Sequence, residues 1–207
     1  MDDEEVKLLL INKLGFIPSD IQKLEEFKSC LLDYNKRHNF ISNSTEKNIW
    51  TRHILDSAQL TKYIDNKSSN SLADLGSGAG FPGLVIAIYN KNPMFHVKLY
   101  EKSPVKREFL FKMSERLNIK FNVEENIYSA KIESNIIVSR AFKKISEIMR
   151  ISREIISKPH KIIILKGKNA QEEINKVSLD SNYSYKIEKS ITSLDSKIII
   201  IDAKQNG

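Results

Sequence analysis

The chain has 207 residues, of which 41% are apolar and 29% are charged, a composition typical of a globular domain and not of a disordered chain. Its 33 Lys and Arg residues outnumber its 26 Asp and Glu residues, and the net charge of +7 favours a polyanionic partner without identifying one. The single cysteine, Cys30, excludes an intramolecular disulfide and favours a reducing compartment.

The first residues of the chain and its apolar runs bear on where the protein acts. Residues 1–5 are mostly acidic, whereas a signal peptide begins with basic residues. The longest apolar runs, residues 162–165 and 198–201, are too short to cross a bilayer. The histidines, at positions 38, 53, 96 and 160, lack the spacing of a metal site. We therefore predict a cytoplasmic protein that binds neither membrane nor metal.

The N-terminal third is predicted to be helical. Apolar residues recur at three- and four-residue steps over residues 21–34, which predicts a helix that begins at Pro18. Asn43 and Glu46 have the spacing of a capping pair for a second helix, which runs through Trp50. Trp50 is either a core residue or a platform on which a base stacks. A polar connector at residues 67–70 follows, so residues 1–66 are expected to form a helical extension.

From residue 71 onwards, short apolar segments alternate with helical patterns. Strands are predicted at 72–75, 95–100, 121–124, 136–138 and 161–165, with helices at 82–90, 104–117, 143–157 and 171–177. This alternation predicts a parallel sheet with right-handed crossovers. Two last strands, at 183–188 and 197–202, have no helix between them and predict an antiparallel hairpin at the sheet edge. We expect an α/β fold with a Rossmann-like core at residues 71–207, within one domain spanning residues 1–207.

The clearest motif joins the first predicted strand to the helix after it. It reads Asp74-Leu75-Gly76-Ser77-Gly78-Ala79-Gly80-Phe81-Pro82-Gly83. Glycines let the backbone turn sharply and approach a ligand closely, and open α/β sheets bind ligands at the carboxyl ends of their strands. The loop is therefore expected to line a pocket, with Gly76, Gly78 and Gly80 shaping the turn and Phe81 packing near it.

Two classes of ligand suit this loop. Gly78, Gly80 and Gly83 fulfil the Gly-x-Gly-x-x-Gly fingerprint of dinucleotide-binding proteins, and Glu101 after the next strand can accept ribose hydroxyls in either class. Asp74 favours S-adenosylmethionine, because a carboxylate can face its cationic methionine portion but would repel a pyrophosphate. The closing hairpin also favours a methyltransferase. A nucleotide-dependent oxidoreductase, or a turn without a ligand, is the alternative.

Further blocks occur in a fixed order along nearly the whole chain. They are Asn39-Phe40-Ile41-Ser42, Arg52-His53-Ile54-Leu55-Asp56-Ser57, the glycine loop, residues 101–110, Ser139-Arg140-Ala141-Phe142 and Leu165-Lys166-Gly167. In these blocks the chain resembles the ribosomal RNA small subunit methyltransferase G family, also called glucose-inhibited division protein B. One block departs, because Asn126-Ile127-Tyr128 stands where the family has an Arg-x-Glu-like segment.

The resemblance implies S-adenosylmethionine-dependent methylation of N7 of a guanine in small-subunit ribosomal RNA. Guanine N7 has a lone pair and no proton, so the reaction needs no general base, and no catalytic triad is expected. Arg140 and Lys166 are the implied catalytic residues. The implied cofactor-binding residues are Asp74, Gly76, Gly78, Gly80, Phe81, Glu101, Ile127, Tyr128 and Arg140.

Other residues near the predicted pocket each have two interpretations, one functional and one structural. His53 and Asp56 lie three positions apart on one helix face, where they either help to close the pocket or form a structural hydrogen bond. Basic residues follow the second and fourth predicted strands and either contact RNA phosphates or form solvated helix faces. These are Lys102, Lys106, Arg107, Lys112, Lys143, Lys144, Arg150 and Arg153.

The sequence leaves three points open. A methyltransferase acting on a small molecule or a protein, and a non-catalytic ribosome-assembly factor, are alternative functions. The substrate is either free ribosomal RNA or an assembling small subunit. The oligomeric state is undetermined, with a monomer as the expectation.

Overall fold

The computed structural model of the chain describes residues 1–65, 71–128, 133–177 and 179–204. The polar connector predicted at residues 67–70 lies outside this described part. None of the described helices combines the length and the apolar composition needed to span a bilayer.

A seven-stranded sheet forms the centre of the fold. Its strands are β1 (Ser71–Leu75), β2 (His96–Tyr100), β3 (Asn122–Glu124), β4 (Ile136–Arg140), β5 (His160–Lys166), β6 (Tyr183–Lys189) and β7 (Lys197–Ala203). The order across the sheet is β3-β2-β1-β4-β5-β7-β6. The first five strands are parallel, whereas β7 runs antiparallel to both β5 and β6, which confirms the predicted parallel sheet with a closing hairpin.

Helices precede the sheet and connect its strands. They are α1 (Asp3–Leu14), α2 (Pro18–His38), α3 (Asn43–Glu46), a π-helical segment (Trp50–Leu55), α4 (Asp56–Ala58), a 3₁₀ segment (Gln59–Tyr63), α5 (Gly83–Tyr89), α6 (Pro104–Arg116), α7 (Ile145–Ile155) and α8 (Ala170–Asn175). The helix predicted from Asn43 onwards is therefore a series of short helical segments. Trp50 is fully buried, as a core residue should be.

The two faces of the sheet are covered by two apolar clusters. Side chains alternate between these clusters along each strand, so that Ile163 and Ile200 enter one cluster while Ile162 and Ile201 enter the other. The first cluster includes buried residues of α1, α2, α5 and α6, and the second includes those of α7 and α8. Because both faces are buried, β5 and β7 contain continuous apolar runs without polar alternation, at residues 162–165 and 198–201.

Helix α1 is a feature that the periodicity did not single out. Asp2 caps its first turn by accepting the Glu5 N–H at 2.8 Å, and Gly15 ends it with a φ of 79°. Val6, Leu10 and Leu14 are buried, but Leu8 on another face is 58% exposed. Apolar residues on several faces therefore hide the three- to four-residue step on which the prediction depended.

A glycine at the start of α5 holds this helix against the sheet. A Cβ added at Gly83 would lie 2.7 Å from Asp74 Oδ2 and 2.8 Å from Asp74 Cβ, and it would also strike the buried Leu99 side chain. Helix α5 can therefore approach β1 and β2 only because residue 83 has no side chain.

We expect Gly83→Ala to lower the free energy of unfolding by about 1–3 kcal/mol, the usual cost of overpacking a core. Gly167→Ala is the matched control, because an added Cβ there meets no atom of the described residues within 4 Å. Urea unfolding of both variants checks the prediction. Equal stability of the two variants would show that α5 tolerates a wider separation from the sheet.

Candidate active site

A cleft of about 510 Å³ opens at the carboxyl ends of β1, β2 and β4. This first cleft has the size of a typical small-ligand site. Residues before the sheet, the glycine loop and the segments after β2, β3 and β4 contribute to its wall. Its lining residues include Phe40, Ile41, Ser42, Thr45, His53, Gly76, Ser77, Gly78, Ala79, Phe81, Tyr100, Glu101, Lys102, Lys106, Glu125, Ile127, Arg140, Ala141 and Phe142.

The glycine loop makes one wall of the first cleft. Gly76, Gly78 and Gly80 have φ values of 76°, 57° and 106°, in the region that favours glycine. A Cβ at Gly78 would meet no described atom within 4 Å, so a side chain there would project into open space beside the cleft. A Cβ at Gly76 would collide with the ring of Phe142. The turn therefore requires glycine for two reasons, backbone conformation and room.

Glu101 faces this loop from the end of β2. Its Oε2 accepts the Gly78 N–H at 2.8 Å, and its Oε1 accepts the Ser103 N–H at 2.8 Å. A carboxylate oxygen has two acceptor positions, so each oxygen can accept a further hydroxyl hydrogen. The carboxylate is thus fixed in direction and still able to bind a diol.

Arg107 supports the Glu101 backbone and does not lie among the cleft-lining residues. Its Nη1 donates to the carbonyl oxygens of Glu101 at 3.0 Å and Lys102 at 2.7 Å, and its Nη2 pairs with Glu125 at 3.1 Å. Of the two neighbouring basic residues on α6, only Lys106 lines the cleft. The structure therefore gives Arg107 a structural role, and an RNA contact by Arg107, one of its two interpretations, stays a prediction.

Asp74 lies beneath the glycine loop, although the sequence placed it against a cationic ligand. Its side chain is fully buried, and its Oδ2 accepts the Gly83 N–H at 2.8 Å. Its Oδ1 is buried without a hydrogen-bond partner among the described residues. Burial raises the pKa of Asp74 to about 7. The carboxyl group therefore anchors the first turn of α5 to β1. It is not among the lining residues of the first cleft, and its contact with a ligand stays a prediction.

Arg140, at the end of β4, lies between the N-terminal segment and the glycine loop. Its Nη1 donates to the Arg52 carbonyl oxygen at 3.0 Å and lies 3.6 Å from Asp56 Oδ2. Its guanidinium carbon lies 5.0 Å from the centre of the Phe81 ring, a cation–π distance. The predicted site residues Phe81 and Arg140 are thus brought together in the wall of the first cleft.

The contacts of His53 determine its protonation state. Arg140 Nη2 lies 2.7 Å from His53 Nδ1, and because guanidinium nitrogens only donate, Nδ1 must accept. His53 Nε2 lies 2.9 Å from Thr45 Oγ1, which itself donates to the Ser42 carbonyl at 3.0 Å. Nε2 therefore carries the proton and donates to Thr45. Burial, together with the charges of Arg140 and Arg52, lowers the pKa of His53 to about 3.

A second cleft of about 350 Å³ adjoins the first one. The two clefts share the wall residues Thr45, His53, Arg140 and Ala141. The second cleft is further lined by Arg52, Asp56, Leu165, Lys166, Gly167, Thr192 and Ser196. The pairing of His53 and Asp56 that the sequence suggested is absent from the described contacts, since each contacts Arg140 instead.

Lys166 lines the second cleft but is already engaged. Its Nζ donates to the Lys143 carbonyl at 2.6 Å and pairs with Glu173 Oε2 at 2.9 Å. Glu173 also accepts the Ile145 N–H at 3.0 Å, so the lysine is part of the junction between β5, α7 and α8. A catalytic role for Lys166 stays a prediction, and it would require this pair to open.

The segment after β3 contains two predicted cofactor-binding residues, Ile127 and Tyr128, and contributes one of them to the first cleft. Ile127 is buried and lines the first cleft, whereas Tyr128 is 49% exposed and is not among the lining residues. Glu125, which the sequence analysis did not select, lines the cleft two residues earlier. The position of Glu125 directly after a strand end was the signal that could have identified it.

Comparisons with known proteins identify relatives over most of the chain. A family model described as rRNA small subunit methyltransferase G matches residues 20–201. Ribosomal RNA small subunit methyltransferase G of Rickettsia typhi is 39% identical over 188 residues, which cover 90% of this chain and 96% of that protein. The protein of the same name from Pelagibacter ubique is 38% identical over 181 residues, which cover 84% of each chain.

The fold also has counterparts among solved structures. The O-methyltransferase from Bacillus cereus, in complex with S-adenosylhomocysteine, superposes with a TM-score of 0.64 and covers 97% of this chain and 97% of that one. The sequence identity is 13%, so this likeness concerns the fold alone.

The contacts of His53 predict how stability changes with pH. The pKa of His53 in the folded protein, about 3, lies below the ordinary value of 6.5. The stability that depends on neutral His53 is therefore complete above pH 6.5 and is lost as the pH falls. Between pH 7 and pH 5 we expect His53 to cost the folded protein about 2 kcal/mol of stability, and His53→Gln to remove that loss. Denaturant titrations of both proteins at the two pH values provide the measurement. The same loss in both proteins would mean that His53 is protonated in the folded state.

Proposed function

Because the chain belongs to the rRNA small subunit methyltransferase G family, we propose that it methylates N7 of a guanine in small-subunit ribosomal RNA. The methyl donor is S-adenosylmethionine, and the substrate places the activity in the cytoplasm. One observation carries the proposal beyond family membership. The Glu101 carboxylate, held by the Gly78 N–H, faces a ligand-sized cleft that adjoins a second cleft across Arg140.

The first cleft fits the methyl donor. Glu101 has acceptor capacity for the two ribose hydroxyls, and the absence of a side chain at Gly78 leaves room for a ligand against the loop. Ile127 and Phe142 provide apolar wall on which an adenine ring can lie. When bound, S-adenosylmethionine supplies an electrophilic methyl group on a sulfonium sulfur.

The residues of the cleft wall act by positioning. Guanine N7 carries no proton, so none of them has to act as a base. Arg140 is fixed by Arg52, His53 and Phe81 and therefore holds the boundary between the clefts at a set place. Arg140 and Asp56 neutralise one another, which keeps the charge of the guanidinium from opposing a cationic methyl donor. Proximity and orientation of this kind account for a large share of the rate of such transfers.

The experiment that tests the function has a binding step and a transfer step. We expect S-adenosylhomocysteine to bind with micromolar affinity in a calorimetric titration, and NAD not to bind. We expect the protein to transfer a labelled methyl group to small-subunit RNA at one guanine, detected by cleavage of the strand at N7-methylguanosine. Cofactor binding without transfer to free RNA or to the assembled subunit would favour an assembly factor, and transfer to another acceptor would favour the small-molecule or protein alternative.

Glu101→Gln tests the cofactor end of the site. We expect the dissociation constant of S-adenosylhomocysteine to rise about 10- to 100-fold, because charge-assisted hydrogen bonds to the ribose are lost. Glu108→Gln on α6, the helix that follows Glu101, is the control, since Glu108 is exposed and pairs with Lys112. An unaltered affinity in Glu101→Gln would remove this carboxylate from the ligand site.

Lys106→Glu tests the RNA end of the site. Lys106 lies at the wall of the first cleft, where an RNA phosphate can approach it. We expect weaker RNA binding, and a plot of log affinity against log salt concentration whose slope is smaller by about one to two. The affinity for S-adenosylhomocysteine should not change. Lys204→Glu is the control, because Lys204 follows β7 at the opposite end of the sheet. A salt slope equal to that of the unmodified protein would exclude Lys106 from the RNA surface.

A further inference from the structure

Among the described residues, the lining of the second cleft combines cationic side chains with a single carboxylate. Arg52, Arg140 and Lys166 line it together with Asp56. It meets the first cleft at Arg140, so an acceptor in the second cleft has a short path to a methyl donor in the first. A purine fits this mixture, since a carboxylate can accept its N–H hydrogens while the exposed Arg52 suits its carbonyl oxygen or a neighbouring phosphate.

Asp56 is held rigidly in the wall of this cleft. Its Oδ1 accepts the Thr192 hydroxyl at 2.8 Å and the Gln59 side-chain N–H at 3.0 Å. Gln59 in turn bonds the Ser190 hydroxyl at 2.9 Å and the Ile191 N–H at 3.0 Å. The segment between β6 and β7 is thereby fastened to α4, and the direction of the Asp56 carboxylate is fixed.

The second oxygen of Asp56 keeps acceptor capacity. Arg140 Nη1 lies 3.6 Å from Oδ2, which is an ion-pair distance but too long for a hydrogen bond. The side chain is 14% exposed, and it lines the cleft. A carboxylate that is nearly buried and whose outer oxygen is incompletely bonded gains strongly from a donor that enters the cleft.

We propose that the second cleft receives the guanine to be methylated and that Asp56 recognises it by accepting its N1–H and 2-amino hydrogens. This inference rests on the proposed function and adds the residue that selects the base. Guanine has two adjacent donors on that edge, whereas adenine has an unprotonated N1 there, which a carboxylate repels. Asp56 thus selects guanine over adenine on an edge remote from N7.

The same contact assists the reaction. The N7 lone pair forms the new bond to the methyl carbon, the electrons of the carbon–sulfur bond stay with sulfur, and the positive charge passes to the purine. No proton is released. As the ring becomes cationic, its N1–H and 2-amino hydrogens become stronger donors, so their bonds to Asp56 strengthen in the transition state. An interaction that strengthens in this way raises kcat more than it lowers KM.

The test combines a substituted base with a substituted side chain. The target guanosine, first mapped with the unmodified protein, is replaced by inosine in small-subunit RNA, which removes the 2-amino group and keeps N7. With the unmodified protein we expect kcat to be about tenfold lower on the inosine RNA. With Asp56→Asn we expect kcat on guanosine RNA to fall about 10- to 100-fold and the guanosine-to-inosine ratio to approach one.

Two measurements separate recognition from a structural role. Thr192→Val removes one bond to Asp56 but keeps the carboxylate, so we expect it to keep the tenfold guanosine-to-inosine ratio. The affinity of Asp56→Asn for S-adenosylhomocysteine should stay within about threefold, because the base cleft lies beyond Arg140. This affinity also verifies that the variant is folded.

The outcomes distinguish the two proposals. Transfer to guanosine RNA by the unmodified protein, with a guanosine-to-inosine ratio that is the same in Asp56→Asn, overturns the role of Asp56 and leaves the proposed function intact. It would mean that Asp56 only orients Arg140. Absence of transfer by the unmodified protein overturns the proposed function, and the base-recognition role with it.

Discussion

The guanidinium group of Arg140 constrains each of the residues that contact it. A guanidinium does not lose its proton in a protein, and burying it is costly unless acceptors surround it. The Arg52 carbonyl, His53 Nδ1, the Asp56 carboxylate and the face of Phe81 meet that need. Each of these partners is constrained in return. His53 has to remain neutral with its proton on Nε2, and this fixes Thr45 as its acceptor.

This arrangement explains why the N-terminal helices belong to the site. Arg52, His53 and Asp56 come from the short helical segments that precede the sheet, while Arg140 ends β4 in its centre. The walls of both clefts therefore contain residues from both parts of the chain. A Rossmann-like core alone would present the glycine loop and Glu101, but its second cleft would lack the side that carries Asp56.

Local sequence patterns were sufficient for the sheet, the closing hairpin and the glycine loop, because each depends on residues close together in the chain. They gave no indication of contacts with distant neighbours. The predicted ligand contact of Asp74 stays a prediction, but its hydrogen bond to the Gly83 N–H was not foreseen. Lys166 follows a strand end as predicted, and its pairing with Glu173 on α8 was likewise not foreseen. The bond between Asp56 and Thr192 joins residues 136 positions apart, a separation for which one sequence offers no signal.

The position of β7 has a consequence for how the protein is made. β7 lies between β5 and β6, although it is the last of the seven described strands to leave the ribosome. Until residues 197–203 emerge, the isoleucine-rich β5 has an open edge whose N–H and C=O groups can pair with another nascent chain. Strand β6 therefore cannot join the described sheet before β7 emerges, and the sheet is completed only when β7 pairs with both β5 and β6.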